Sequence, residues 1–310
     1  MTGPDIADEF DAEVVAAFGR HVIVRDASGS ERRARPAGRR LIIVCGDRVR
    51  CEVDRAHDEV LAVEVLPRTS LLARASARGD SEPVVANITR LVVVIAPLPA
   101  PDFFIVDRYL CAATAAGVDG TLAVNKTDLE DGIAAAELDA YAAAGYGTLR
   151  CAAKTGAGLD ALRQVLKDAV SVLVGQSGVG KSSLVRALIS HAVVTTGDLV
   201  REEEGRHTTT ASRAYELESG GTLIDSPGVR DFAPAIDRLD ARTLGFPEIA
   251  RGAPECRFQD CSHMHEPGCA IVAAVDSGSL SSRRYESYRR LRRRFADLVE
   301  ARGPARRGRR

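Results

Sequence analysis

The sequence predicts an α/β core built around a phosphate-binding loop, with a small β-barrel before it and a mainly helical, metal-holding segment after it. Three observations carry this. From Arg90 onward, apolar strand-like stretches alternate with segments whose apolar residues recur three or four apart, and each apolar stretch ends in a polar or Gly-rich loop. Before that point, short alternating stretches are punctuated by Ser28-Gly29, Gly38 and Gly46-Asp47, the texture of a small barrel. After Asp231 the pattern breaks into an irregular Pro- and Gly-containing segment with Cys and His, followed by a basic helix.

Composition limits the alternatives. A chain of 310 residues with 45% hydrophobic and 27% charged side chains has the balance and length for two or three folded domains. The longest apolar run, starting at Leu91, meets Pro97, Pro99 and Pro101, well short of the roughly 20 residues a membrane helix needs. Residues 1–13 carry Asp5, Asp8, Glu9, Asp11 and Glu13, unlike a secretory leader, so a cytoplasmic protein is expected. Seven cysteines are an odd number for a disulfide framework, and three of them cluster, which in a reducing compartment suggests metal.

Charge is uneven. Residues 283–310 hold twelve Arg against Glu286, Asp297 and Glu300, a local net charge of +9 in a chain whose total is −1. Such a block is either a solvated helix with a frayed end or an arm for polyanions. Only Lys126, Lys154, Lys167 and Lys181 use lysine as the base, so the positions that keep it are candidates for sites needing a compact ammonium.

Taken in order, residues 1–17 are expected to form an N-terminal tail and 18–75 the barrel, with strands in HVIVRD, RRARPAGRR, LIIVCGDRV and DEVLAVEVLPR. Residues 76–84 read as a linker. The α/β core covers 85–233, with strands LVVVIAP, TLAVNKTD, GTLRCAAKTG, SVLVGQSG and GTLIDSPG; helices fill Phe103 to Gly117, Ala134 to Ala144, Leu159 to Ala169 and Ser182 to His191. Residues 234–300 form the Cys/His segment and its helix, and 301–310 a disordered basic tail. In the basic helix Tyr285, Tyr288, Leu291, Phe295 and Leu298 should pack inward, with the Arg face outward.

Gly175-Gln176-Ser177-Gly178-Val179-Gly180-Lys181-Ser182 matches G-x-x-x-x-G-K-[ST] between a strand and a helix. Its backbone N–H groups can converge on phosphate oxygens, Lys181 can reach the β and γ phosphates, Ser182 can hold Mg²⁺, and Ser183 extends the contact surface. The base is suggested by Asn125-Lys126-Thr127-Asp128. Guanine offers N1–H and its amine side by side, so the Asp128 carboxylate can accept both, while adenine lacks that pair. Asn125 would tie the loop and Lys126 would lie against the base. In Cys151-Ala152-Ala153-Lys154, the Ala153 N–H is the candidate contact for guanine O6. Asp225-Ser226-Pro227-Gly228 fits a D-x-x-G γ-phosphate sensor, with Asp225 toward Mg²⁺ and the Gly228 N–H toward the phosphate.

Cys256-x4-Cys261-x-His263-x5-Cys269 is the ligand set of a closed tetrahedral zinc site, one Zn²⁺ per chain, with His265 as a competing ligand by spacing.

The motifs run in an unusual order, base loops before phosphate loop, so the sequence resembles a circularly permuted GTPase. With Gly46-Asp47-Arg48-Val49, Pro67-Arg68, Ala86-Asn87-Ile88 and Gly205-Arg206-His207-Thr208-Thr209-Thr210, it is similar to the ribosome small subunit-dependent GTPase A family over residues 18–295. That resemblance implies an OB-fold barrel, a GTPase core and a zinc domain. It also implies GTP hydrolysis to GDP accelerated by the 30S subunit, contact with 16S rRNA, and a role in late 30S maturation; a monomer is expected.

Val229 stands where many GTPases place a water-orienting Gln. The resemblance assigns that task to His207, with ribosomal RNA as the alternative source of the aid, and Mg²⁺ contact to Thr208, Thr209 or Thr210, Thr209 being the choice here. Two rivals are a P-loop kinase, which would need a second-substrate pocket and no guanine loop, and a nucleic-acid-binding P-loop NTPase acting outside the ribosome.

Overall fold

The computed structural model describes residues 9–55, 57, 59–75, 81–129, 133–189, 212–226 and 234–302. Five strands close the N-terminal barrel: β1 (Glu9–Ala17), β2 (Val22–Asp26), β3 (Glu31–Pro36), β4 (Arg48–Asp54) and β5 (Glu59–Val65). Pairing runs β1-β2-β3-β5-β4 and back to β1, antiparallel except for β3 with β5. This is the five-stranded barrel of an OB-fold, filled by Val14, Val22, Val24, Val49 and Cys51.

Two expectations are corrected here. Residues 9–17, read as tail, are the barrel strand that pairs with both β2 and β4. Its acidic residues are the solvent face of an alternating strand: Glu9, Asp11 and Glu13 are exposed while Ala12 and Val14 are buried. In LIIVCGDRV, pairing begins only at Arg48, because the preceding Gly46 turn folds back, with the Gly46 and Val14 N–H groups donating to Val14 and Asp47 carbonyls respectively.

The expected linker also contains structure, since β6 (Leu71–Ala75) and β7 (Ser81–Ala86) form an antiparallel hairpin. Next to it, Gly46, Arg68 and Asn87 meet. A Cβ on Gly46 would sit 2.2 Å from the Ala86 carbonyl oxygen, so only glycine permits this approach. The fully buried Asp47 carboxylate accepts from Arg68 Nε at 2.7 Å, Arg68 Nη2 at 2.8 Å and the Val44 N–H. Asn87 Nδ2 donates to the Gly46 carbonyl and its Oδ1 accepts from the Thr69 N–H. Three separated sequence motifs are therefore one joint between barrel and core.

The core sheet is ordered β10-β9-β8-β11-β13-β12, from β8 (Arg90–Ile95), β9 (Asp119–Val124), β10 (Gly147–Arg150), β11 (Val170–Val174), β12 (Ser212–Glu216) and β13 (Thr222–Asp225). It is parallel except for β12. Side chains of β8 alternate between its faces: Leu91, Val93 and Ile95 pack with α1 (Phe103–Ala115) and α2 (Ala135–Ala144), whereas Val92, Val94 and Ala96 pack with α3 (Leu159–Leu166) and α4 (Lys181–Leu188). The β12 strand was not expected from sequence. It pairs with β1 through Ala16 to Arg213, so the core sheet continues into the barrel.

Short helices α5 (Pro247–Gly252) and α6 (Ala270–Asp276) and the long α7 (Ser282–Arg302) make the C-terminal part. Among the described residues no helix is long and apolar enough to cross a membrane. The expected disordered tail beyond residue 302 lies outside the described residues.

Candidate nucleotide and metal sites

All five parallel strands point their C-terminal ends toward one edge, where ligands bind in sheets of this kind. The Gly175–Ser182 loop lies there, between β11 and α4. Gly175 (φ 139°) passes so close to β8 that a Cβ would be 2.1 Å from the Val94 carbonyl oxygen, and at Gly180 (φ 95°) one would be 2.3 Å from Asn125 Nδ2. Gly175 is required by the approach of the Val94 backbone and Gly180 by its positive φ and the approach of the Asn125 amide, independent of any ligand. The half-turn ends with Ser183 and Leu184 N–H groups on the Gly180 carbonyl, opening α4. Lys181 is 7% exposed, and its ammonium donates to the Gly175 and Gln176 carbonyls, at 2.5 and 2.7 Å, over the mouth of the loop.

Asn125 joins three motifs. Buried at the end of β9, it donates through Nδ2 to the Val179 carbonyl at 2.9 Å, and its Oδ1 accepts the Ala153 N–H at 3.1 Å. Thr127 bonds back to the Cys151 carbonyl through N–H and hydroxyl. Lys126 is left-handed (φ 64°) and its ammonium donates to the Leu98 carbonyl at 2.8 Å. Asp128 is exposed on the turn that follows. The phosphate loop and both base loops are thus held by one asparagine. Asp225 ends β13, opposite Arg213 in register, and the buried Ser226 hydroxyl meets that of Ser212 at 2.6 Å. Gln176, Ser177, Gly178, Ser182 and Ser183 line the accessible side of the loop, while Val179 is buried beneath it. His207, Thr209 and Gly228 lie outside the described residues.

The metal ligand set converges as expected: donor atoms of Cys256, Cys261, His263 and Cys269 all lie within 4.8 Å of one another. Nδ1 of His263 is 3.4 Å from Cys256 Sγ and 3.6 Å from Cys269 Sγ, and those sulfurs are 3.9 Å apart. Zinc bonds of about 2.3 Å to sulfur and about 2.0–2.1 Å to nitrogen give tetrahedral edges of roughly 3.5–3.8 Å, so the donor set fits zinc. His265 is outside this group. Burial lowers the His263 pKa, favouring the neutral imidazole a metal requires. The loop is braced by Glu266. Burial would raise its pKa, but donors on Ser262 and the His265 N–H prevail and hold the carboxylate well below its ordinary range. Tyr285 and Tyr288 of α7 donate to the His263 and Ser262 carbonyls, fixing the loop to the helix.

The profile of the RsgA GTPase family matches residues 65–234. The Small ribosomal subunit biogenesis GTPase RsgA of Pseudomonas aeruginosa is 41% identical over 298 residues, covering 94% of this chain and 87% of that protein. The chain belongs to the RsgA GTPase family. The RsgA of Azotobacter vinelandii is 40% identical over 300 residues, with the same coverage. Among solved structures, YjeQ from Thermotoga maritima superposes with a TM-score of 0.68 at 26% identity, covering 98% of this chain and all of that one. YloQ, described as a circularly permuted GTPase, also gives 0.68, at 25% identity, covering 96% and 99%.

In this RsgA-family chain, sequence reasoning missed a buried charge cluster that joins the GTPase core to the C-terminal part. Arg284 was expected to face outward, yet it is 2% exposed and donates to Asp107 of α1 at 2.7 Å and Glu248 of α5 at 2.5 Å. Arg283 donates to the other Asp107 oxygen at 2.8 Å and pairs with Glu137, and Tyr141 donates to Asp107 at 2.8 Å. The reason is that Asp107 is itself buried, and an unpaired buried carboxylate costs far more than turning two guanidiniums inward. The helix stripe of Tyr288, Leu291 and partly buried Phe295 packs as expected, with Arg284 added to it. A second missed residue is Asp102, which caps α1 by accepting from the Phe104 and Ile105 N–H groups, while its own N–H donates to Gln176 Oε1 of the phosphate loop at 2.9 Å. A hydrogen-bonded path therefore links that loop to α1, and α1 to α7.

Proposed function

We propose that the chain is a GTP-hydrolysing assembly factor that binds the small (30S) ribosomal subunit in the cytoplasm, assists its late maturation, contacts 16S rRNA, and leaves after hydrolysis, acting as a monomer. The observation that supports the nucleotide part is Asn125, which bonds the Val179 carbonyl and the Ala153 N–H at once and so holds the Gly175–Ser182 loop next to the Cys151–Lys154 loop. The ribosomal part rests on relatives named small ribosomal subunit biogenesis GTPases, which match nearly the whole chain.

In this reading Gly175 to Ser183 hold the phosphates, Lys181 leaves its loop carbonyls for the β and γ oxygens, Asp128 accepts guanine N1–H and amine, and the Ala153 N–H, which donates to Asn125 Oδ1 in this structure, is shared with O6 when guanine is bound. Ser182, Asp225 and Thr209 would hold Mg²⁺, which neutralises phosphate charge when bound with GTP. The Gly228 N–H meets the γ phosphate. Hydrolysis is aided by His207, which orients water where the chain has Val229 instead of Gln. Replacing His207 with Ala should leave nucleotide affinity nearly intact and lower subunit-stimulated turnover by about 10²-fold, the usual worth of a positioned base; a loss confined to affinity would sink this assignment.

Cys256, Cys261, His263 and Cys269 would hold one structural Zn²⁺, a closed site with no position for water. Metal analysis should find one zinc per chain. Because metal affinity supplies folding energy on the order of 10 kcal/mol, Cys261→Ser should lose the zinc and open the C-terminal part to limited proteolysis; a metal-free variant with unchanged protease resistance would contradict this.

The function as a whole is tested by co-sedimentation with purified 30S subunits. Protein loaded with a non-hydrolysable GTP analogue should sediment with the subunit and GDP-loaded protein should not. Equal retention in both states would contradict a nucleotide-controlled cycle.

A further inference from the structure

On α7, arginines that turn inward or along the helix are matched. Arg283 and Arg284 meet Asp107, Arg289 meets Glu286 at 3.1 Å, and Arg292 donates to the Ala241 carbonyl. Arg290 and Arg294 are different. Both are exposed, one turn apart, and both lie over the ring of Phe104 on α1, with guanidinium carbons 4.0 and 5.5 Å from its centroid. One turn along α1 from Phe104 stands Arg108, whose Nη2 donates to the Pro234 carbonyl at 3.0 Å and whose Nε is buried without an acceptor.

These three guanidiniums are close enough to act on one another. Burial first, and then the charges of Arg294 and Arg290, lower the Arg108 pKa; the one carboxylate acting in the opposite direction is Asp102, already engaged in capping α1. Among the described residues none of the three forms an ion pair with a carboxylate. Three neighbouring cations, two of them over one aromatic ring, repel one another, and an anion with several acceptor oxygens relieves that repulsion. Arginine forks fit phosphate oxygens in pairs, and the ring holds two of the forks near one another.

We propose that Arg290 and Arg294, seated on Phe104, form with Arg108 a binding site for RNA phosphate at the junction of α1 and α7. This deepens the ribosomal reading and rests on it, since it names the surface by which the subunit's RNA is held. RNA is favoured over a free anion because Arg290 and Arg294 lie open beside the exposed Arg293 and the partly exposed Arg289 and Arg292, a basic stretch suited to a continuous polyanion, with the exposed acids Glu286, Asp297 and Glu300 towards the two ends of the helix. Through its bond to the Pro234 carbonyl, Arg108 brings that contact to the chain segment that follows the D-x-x-G motif.

The test uses the full chain loaded with a non-hydrolysable GTP analogue and purified 30S subunits, with affinity measured against salt. For R290Q/R294Q the slope of log K against log salt should become shallower by about 1.4–1.8, from roughly 0.7–0.9 per lost phosphate contact, with affinity at least about tenfold lower near 0.1 M salt. Adding R108Q should extend the change to about 2.1–2.7. R289Q/R293Q removes the same charge from elsewhere on the helix and should change the slope much less. Equal losses in the two pairs would overturn the site in favour of diffuse attraction, as would a wild-type slope in R290Q/R294Q. Competition by millimolar inorganic phosphate as strong as that by RNA would overturn the choice of RNA. A wild-type chain that fails to bind the subunit would refute the assigned function itself, and this site with it. Because Arg290 and Arg294 are exposed, that pair should melt like wild type, which keeps the result readable even where R108Q loosens Pro234.

Discussion

Asp128→Asn should weaken GTP binding by about 100-fold or more and shift preference toward XTP. The carboxylate offers two acceptors to the two donors on the guanine edge, whereas an amide offers one acceptor and sets an N–H against another N–H. Hydrogen bonds to a charged group are worth about 1.5–3 kcal/mol, so losing one and opposing the other reaches that factor. Xanthine carries a carbonyl where guanine has its amine, and the amide N–H can meet it. Asp128 is exposed within the turn that Thr127 anchors, so the substitution should leave the fold unchanged. Titration with fluorescent GDP and XDP analogues decides the matter; an unchanged ratio of affinities would show that Asp128 does not read the base.

Arg284→Ala should cost about 3–5 kcal/mol, because removing one partner of a buried pair strands the charge of the other. Here two carboxylates are affected, Asp107 and Glu248. The guanidinium also lies 4.9 Å from the Tyr141 ring centroid, 5.2 Å from that of Phe246 and 5.5 Å from that of Tyr146, so aromatic contacts vanish with it. Denaturant unfolding of the full chain, followed by a C-terminal fluorescence probe, measures the loss. The double variant Asp107→Leu/Arg284→Met should fall short of the summed single losses, since a removed pair leaves less uncompensated charge. A single-variant loss below about 1 kcal/mol would mean that Arg283 alone neutralises Asp107.

Legibility in the sequence followed the range of the interactions. The Gly175–Ser182, Asn125–Asp128 and Cys/His motifs are local strings whose chemistry is written in nearby residues, and the structure brings the Cys/His donors together. The role of Asn125 as a bridge between two of them needed coordinates, because its partners Val179 and Ala153 come from other loops. Strand β1 was hidden by its charge: alternation of Phe10, Ala12 and Val14 was present, but the intervening acids made the stretch read as tail. Strand β12 has one buried side chain, Arg213, and is held by backbone pairing to β13 and β1, so no apolar period announced it. Arg284 was unreadable for another reason. A helix stripe shows which positions face inward, yet the carboxylate that makes an inward Arg tolerable lies 177 residues away.

The joint at Gly46, Arg68 and Asn87 falls between these cases. Its motifs were visible as strings, and the reason they occur together is steric and electrostatic: a glycine pressed on the Ala86 carbonyl, with a buried Asp47 needing the Arg68 fork. That joint, the β1–β12 pairing and the Asp107 cluster tie the barrel and the C-terminal part to one GTPase core.

The central claim, that this core hydrolyses GTP under control of the small ribosomal subunit, is tested most directly by measuring steady-state GTP turnover with and without purified 30S subunits. The account predicts slow turnover alone and a rise of at least about tenfold on adding 30S, absent with 50S subunits and with ATP as substrate. Equal turnover with and without 30S, or equal use of ATP, would contradict it.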